Sequence, residues 1–254
     1  MKNIKLIQGD CLEVMKDIPD GSVDMILTDP PFNVTACKWE WDIMTRIDEF
    51  WEQWKRVIKE NGAIVIFGIE PFSSKLRISN LEMYKYDWVW EREQGSIPCN
   101  APYQPINVHS QILIFSKMAS TYSSKGTMKY FPQKIKGEPY KASQSKKREY
   151  KFHSDIGVNY IFKGNEGYRY PRSVIKFKTE RGKHPTQKPV KLLEYLIKTY
   201  TLENETVLDC FMGSGSTIIA ALNTDRKAIG IELDENYFKI AKKRIKDHLG
   251  LFAD

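Results

Sequence analysis

Residues 207–222 read "VLDCFMGSGSTIIAAL": an apolar run, a Gly-x-Gly turn and a second apolar run of helical length. A strand that passes through glycines into a helix lets a ligand approach the backbone, here at Gly213 and Gly215, and meet a helix N-terminus. Residues 227–234, "KAIGIELD", add a second strand that closes on acids. A triphosphate loop is a poor match, because G-x-x-x-x-G-K-[ST] needs a lysine and none follows Gly215. A dinucleotide site wants a third glycine where Ile218 stands. S-adenosylmethionine has no pyrophosphate to cradle. It asks for two closely approached glycines and an acid at the end of the next strand for its ribose hydroxyls, and Glu232, 17 residues beyond Gly215, occupies that place. A glycine turn before a helix also serves packing alone, and the order of the surrounding elements favours the cofactor reading over that one.

One helix follows Glu232, with Phe238, Ala241 and Ile245 on one face. The next sheet strand must therefore come from elsewhere, and the N-terminal run "IKLIQGD", ending at Asp10, can supply it. A short helix through Leu12, Val14 and Met15 follows, then the strand "VDMILTD" (23–29) and an amphipathic helix from Met44 to Ile58. That helix is expected to stop at Asn61-Gly62, before the strand "AIVIFG". "YKYDWVWER" and "HSQILIFSK" read as two further strands, and a helix with Val190, Leu193 and Ile197 on its apolar stripe begins after Pro189. Strand-helix-strand spacing implies right-handed parallel crossovers and a sheet buried on both faces. Taken as a cycle, the parallel strands run "TVLDC", "KAIGIE", "IKLIQGD", "VDMILTD", "GAIVIFG". The fold class is α/β, a circularly rearranged doubly wound sheet.

The chain carries a net charge of +7 over 254 residues. Residues 118–183 hold 16 Lys and Arg against 5 Asp and Glu, a net +11, so the remainder is net −4. All of the positive excess lies in this segment, which also has 11 scattered Tyr and Phe and no long helical period. The expected organisation is a catalytic domain in two parts, residues 1–117 and 184–254, interrupted by an inserted module over 118–183. Basic residues alternating with aromatics, as in "KREYKFH" and "GYRYPR", point to a polyanionic partner. The four cysteines show no C-x-x-C pair, which argues against a zinc site and a disulfide framework. The N-terminus lacks the apolar stretch of a signal peptide and no run is long enough to span a bilayer, so a cytoplasmic setting without a membrane is expected.

"DPPF" (29–32), "HPTQKP" (184–189) and "DCFMGSGST" (209–217), in that order, resemble the amino-group DNA methyltransferases of the β arrangement. In that family the catalytic motif comes first, the target-recognition region next and the cofactor loop last. The resemblance covers nearly all of the chain outside 118–183. It implies a Rossmann-like S-adenosylmethionine-dependent methyltransferase fold with a mostly parallel seven-stranded sheet. It also implies methyl transfer from S-adenosylmethionine to an exocyclic amine of a base in double-stranded DNA, with Asp rather than Ser at position 29 favouring adenine N6 over cytosine N4. RNA adenine methylation and a catalytically silent DNA-binding module are the competing functions.

By the same resemblance, Asp209, Phe211, Gly213, Ser214 and Gly215 would line the cofactor's methionine and ribose side. Glu232 would hold the ribose hydroxyls, and Asp10, with Cys11 beside it, would receive the adenine amino group. His184, Thr186 and Lys188 would close over the cofactor, and Asp29 would border both cofactor and base. No metal is called for. Cys210, Ser216 and Phe32 replace the family's more frequent Pro, Thr and Tyr without removing a required chemical group. A homodimer, a cognate restriction endonuclease and a bacterial or phage origin are compatible with membership.

The "DPPF" residues make chemical sense for this reaction. An exocyclic base amine is a poor nucleophile because its lone pair is delocalised into the ring. Acceptors on its two N–H bonds draw it out of conjugation: Asp29 can take one and the Pro30 carbonyl the other, with Pro30 and Pro31 fixing the chain. Phe32 offers a face for an extruded base. In the basic segment, Arg148, Arg169, Arg172 and Arg181 are candidates for guanine or phosphate contacts.

Overall fold

In the computed structural model, which describes residues 3–31, 43–96, 98–139, 167–180 and 187–250, Ile4–Gln8 forms strand β1 and Cys11–Lys16 helix α1. Asp10 is extended and accepts the Leu12 N–H at 2.8 Å, which makes it the N-cap of α1. Strand β2, Val23–Thr28, is buried at every residue, as a strand covered on both faces must be. A 3-10 turn, Ile43–Arg46, leads into α2, Ile47–Val57, which buries Phe50, Trp51, Trp54 and Val57. Strand β3, Ile58–Gly68, starts directly after α2. The chain thus turns into the strand ahead of the Asn61-Gly62 pair read as the helix stop. Helix α3, Phe72–Ser79, was not expected: its sequence, "FSSKLRIS", is short and polar, and it buries Phe72, Ser73 and Leu76.

Strands β4, Tyr84–Ser96, and β5, Asn107–Phe115, form an antiparallel hairpin. There follow β6 (Ile135–Lys136), β7 (Tyr168–Arg169), β8 (Val174–Lys176), α4 (Val190–Tyr200), β9 (Thr206–Asp209), α5 (Ser216–Leu222), β10 (Lys227–Glu232) and α6 (Glu235–His248). The main sheet runs β1-β10-β9-β2-β3-β5-β4-β8. β1 lies parallel to β10 with Gln8 opposite Glu232, so the N-terminal strand takes the place beside the Glu232 strand that the element order required. The sheet has eight strands rather than seven, because the three residues of β8 add to the β4 edge from within the segment read as an insertion. Only β5 opposes its neighbours β3 and β4; the other pairings in this sheet are parallel.

Alternation along the strands builds two cores. Met25, Leu27, Val65 and Phe67 pack toward Leu192 and Leu196 of α4, Ile218 of α5 and Ala241 of α6. Ile26, Ile64 and Ile66 pack toward Leu12 of α1, Trp54 of α2 and Leu76 of α3. Burial of this much apolar area on both faces is the main stabilising term for such a sheet.

The chain divides into two compact units, one of residues 1–131 with 173–254, the other of 132–172. Residues 118–131 and 173–180 go with the sheet: Met128 and Ile175 are buried in its core. In the smaller unit β6 and β7 pair antiparallel, Arg169 donates to the Glu138 carbonyl at 2.5 Å, and Lys134 Nζ lies 4.7 Å from the Tyr170 ring centre.

Candidate active site

Ligand crevices in open α/β sheets form at the carboxyl ends of the strands, where the strand order reverses. Here the ends of β1, β10, β9 and β2 line up along one edge, and each carries a residue singled out from sequence: Asp10, Glu232, Asp209 and Asp29. β9 and β2 are neighbours. Thr28 donates its hydroxyl to Asp209 Oδ1 at 2.7 Å, so the strand that leads into the glycine loop and the strand that ends at Asp29 are tied side by side.

Asp209 is buried, 3 % exposed. Burial pushes its carboxyl up to about 6, against hydrogen bonds from Thr217, Thr28 and the Phe211 N–H that hold it down; the charge of Asp29 adds to the rise. The glycine loop then turns through left-handed backbone at Gly213, φ 50°, and Gly215, φ 80°, conformations that side chains disfavour. At Gly215 packing adds to that demand: a Cβ there would lie 3.1 Å from Ile245 and 3.2 Å from Ala241 of α6. Glu232 reaches back across the loop and accepts the Gly213 N–H at 2.8 Å and the Asp234 N–H at 2.9 Å. Burial raises its pKa above the usual carboxylate value while those N–H groups oppose the rise.

A cavity of about 130 Å³ opens between Gly9, Asp10 and Cys11 on one side and Cys210, Phe211, Glu232 and Leu233 on the other, with Thr45, Arg46 and Phe50 completing its wall. Two rings, Phe50 and Phe211, 5.5 Å apart between centres, form part of its wall. Asp10 stands at its rim, one oxygen capping α1 and the other 3.3 Å from Arg46. Burial, then the charge of Asp10, raises the Cys11 thiol to about 12. Burial likewise pushes the Cys210 thiol well up, so neither is a nucleophile at neutral pH. Cys11 and Cys210 are buried free thiols, Cys99 an exposed one.

Two further groupings are visible only in three dimensions. Arg244 of α6 donates to the Ser214 carbonyl at 3.2 Å, to Ser216 Oγ at 2.8 Å and to Gln187 at 3.3 Å, bracing the glycine loop from behind. Lys188 forms an ion pair with Asp29 and stands 5.1 Å over the Phe67 ring at the end of β3. Sequence reading had placed Lys188 over the cofactor. Arg46 and Phe50 fall within the helix expected over Met44–Ile58, and Arg244 within the final helix, and nothing in a linear period distinguishes them from their neighbours.

Of the other candidates, Pro30 is buried and Pro31 half-buried directly after Asp29, Arg172 is exposed, and Arg169 is held by its own hairpin. Phe32, Cys37, Arg148, Arg181, His184 and Thr186 lie outside the described residues. Among the described residues no group of His, Cys, Asp or Glu could hold a metal ion, and no helix is long and apolar enough to cross a membrane.

A family model described as DNA methylase, for N6 and N4 methyltransferases, matches residues 23–243. The chain belongs to the N6/N4 DNA methylase family. It is 30 % identical over 252 residues to the DNA adenine methyltransferase YhdJ of Escherichia coli K12, spanning 94 % of this methylase and 82 % of YhdJ. The type II methyltransferase M.HpaI of Haemophilus parainfluenzae is 29 % identical over 260 residues, 98 % of this chain and 76 % of M.HpaI. Among solved structures, the M1.HpyAVI complex with S-adenosylmethionine superposes with a TM-score of 0.60 at 27 % identity, over 95 % of this chain and 99 % of that one. The cytosine-N4 methyltransferase PvuII, at 17 % identity and a TM-score of 0.68, shares the fold. The methylase uses S-adenosylmethionine as its methyl donor, and the residues present fit it: two left-handed glycines, a strand-end acid whose carboxylate spans the loop, and an adjoining ring-walled cavity on the scale of one flat heterocycle.

Proposed function

We propose that this methylase transfers a methyl group to N6 of adenine in double-stranded DNA, with Asp29 and the Pro30 carbonyl accepting the two amine hydrogens. The observation that carries this reading is the tie between Thr28 and Asp209, which sets the acceptor end of β2 beside the cofactor loop of β9. The donor, when bound, supplies the methyl group on a positively charged sulfonium, so transfer relieves charge and needs no metal. Glu232 has acceptor capacity left beyond its backbone N–H partners and takes the ribose hydroxyls. Phe211 and Phe50 wall the adenine end of the cofactor, and Asp10 with Cys11 borders it. Asp209, Gly213, Ser214 and Gly215 line the methionine side, with His184 and Thr186 closing over it.

At the base site Asp29 and Pro30 draw the amine out of conjugation and aim it, and Phe32 supplies the face on which the extruded base stacks. Proximity and in-line alignment account for much of the acceleration. Adenine rather than cytosine follows from Asp at position 29 and agrees with the name of the YhdJ relative. Labelled S-adenosylmethionine incubated with unmethylated genomic DNA, followed by nucleoside analysis, should give N6-methyladenine. N4-methylcytosine overturns the base assignment, and label in RNA but not DNA overturns the substrate.

The basic segment over 118–183 is assigned to target recognition, with Arg148, Arg169, Arg172 and Arg181 as its base or phosphate contacts. Shortening the basic segment within 132–172 should weaken DNA binding and lower the slope of affinity against salt; an unchanged slope removes the assignment. Relatives named as type II methyltransferases support a cognate restriction endonuclease as partner. A homodimer and a cytoplasmic setting, in a bacterium or its phage, complete the proposal.

A further inference from the structure

We propose that Lys188 is a positioning residue for the acceptor end of the reaction: it grips one oxygen of Asp29 so that the other is turned toward the base amine. The inference rests on the reading of Asp29 given above. The two prolines after Asp29 fix its backbone, but they leave the side chain free to rotate among staggered rotamers. Something else must aim the carboxylate.

Lys188 is built to do so from three sides. Its ammonium contacts Asp29 Oδ2, with side chains only 17 % and 22 % exposed. It also lies 5.1 Å over the ring centre of Phe67, a residue 1 % exposed at the end of the neighbouring strand β3, so a carboxylate and an aromatic face hold the same cation. Its backbone precedes Pro189, which starts α4 with φ −61°, and α4 is anchored by buried Leu192, Leu193, Leu196 and Ile197. A long side chain rooted on a packed helix thus reaches a short one rooted on a packed strand.

Charge points the same way. Asp209 lies within electrostatic reach of Asp29, so two acids converge at adjacent strand ends and a fixed cation keeps Asp29 in place. The alternative, that Lys188 closes over the cofactor and holds its methionine carboxylate or ribose, predicts a raised KM for S-adenosylmethionine when the lysine is lost.

The experiment compares Lys188→Met, Lys188→Arg, Asp29→Asn and the Met/Asn double variant for single-turnover methyl transfer and for KM of S-adenosylmethionine. Lys188→Met should lower kcat by about 10–100-fold with KM changed less than about threefold, since misaiming an acceptor costs rate rather than ground-state binding. Lys188→Arg should recover most of the loss, and in the Asp29→Asn background Lys188→Met should add nothing. A raised KM with kcat kept, or equal losses with and without the Asp29 carboxylate, overturns the proposal. Should Lys188→Met fail to fold, Lys188→Gln carries the same comparisons. An Asp29→Asn enzyme with wild-type kcat would overturn the underlying reading of Asp29 instead.

Discussion

Strand β2 carries an aspartate near each end, and lysine pairs with both. At the amino end Asp24 is 1 % exposed and is met by Lys59 and Lys129, each at 2.8 Å, and by the Thr206 N–H at 3.0 Å. Lys129 also pairs with Glu205. Burial works against the charge of Asp24, but hydrogen bonds from Lys129, Lys59 and the Thr206 N–H outweigh it and hold the carboxyl below its usual range. At the carboxyl end Asp29 is part-exposed and, among the described residues, Lys188 is its ion-pair partner. A buried acid already held by three donors has little capacity left for a ligand, and it stitches β2, β3, β9 and the segment after β5 together. One with lone pairs still open, at the sheet edge where ligands bind, is available for chemistry.

Removing each acid should break the comparison most clearly. Asp29→Ala should cut methyl transfer by about 10³-fold or more, while cofactor affinity stays near wild type. Retained activity would erase the distinction. Asp24→Ala should do the reverse, costing about 3 kcal/mol in urea unfolding, because Lys129, 14 % exposed, is left with a lost partner. Its activity per folded molecule should be retained.

A third measurement uses pH. Asp209, just across from Thr28, has a carboxyl pushed up to about 6 from 3.8. The folded state therefore keeps a proton that the unfolded chain gives up, so this contribution to stability is present below about pH 4 and lost as pH rises through 6. Asp209→Asn should gain on the wild type by about 2–3 kcal/mol between pH 4 and pH 7. Asp24 has the opposite sign: its contribution is present above the ordinary carboxylate range and fades as pH falls below it. Urea midpoints across that range separate the two. The smallest effect is expected for Lys59→Met, under about 1 kcal/mol, since Lys59 is 42 % exposed and Lys129 remains on Asp24.

Legibility in the sequence followed the range of the interactions. The stripe Phe50, Trp51, Trp54 and Val57 repeats at helical spacing and became the buried face of α2. Gly213 and Gly215 were read as turn glycines, and both take left-handed backbone. Helix α3 escaped because its eight residues carry no stripe long enough to show a period, while Phe72 and Leu76 gain their burial in the core beneath the sheet. Strand β8 escaped because three residues have no period of their own and are made a strand by pairing with β4.

What the sequence determined by itself was the kind and order of the elements, and the acids and glycines at the strand ends. Backbone freedom at Gly, its restriction at Pro and the alternation of apolar residues act over a few residues, and they do not depend on what the chain packs against. Tertiary structure decided which of those residues meet. Lys188 finds Asp29 across 159 positions, Arg46 finds Asp10 and Arg244 finds Ser214 because the strand order brings separate carboxyl ends to one edge. A side chain's partner is set by that arrangement in space, which no local pattern encodes.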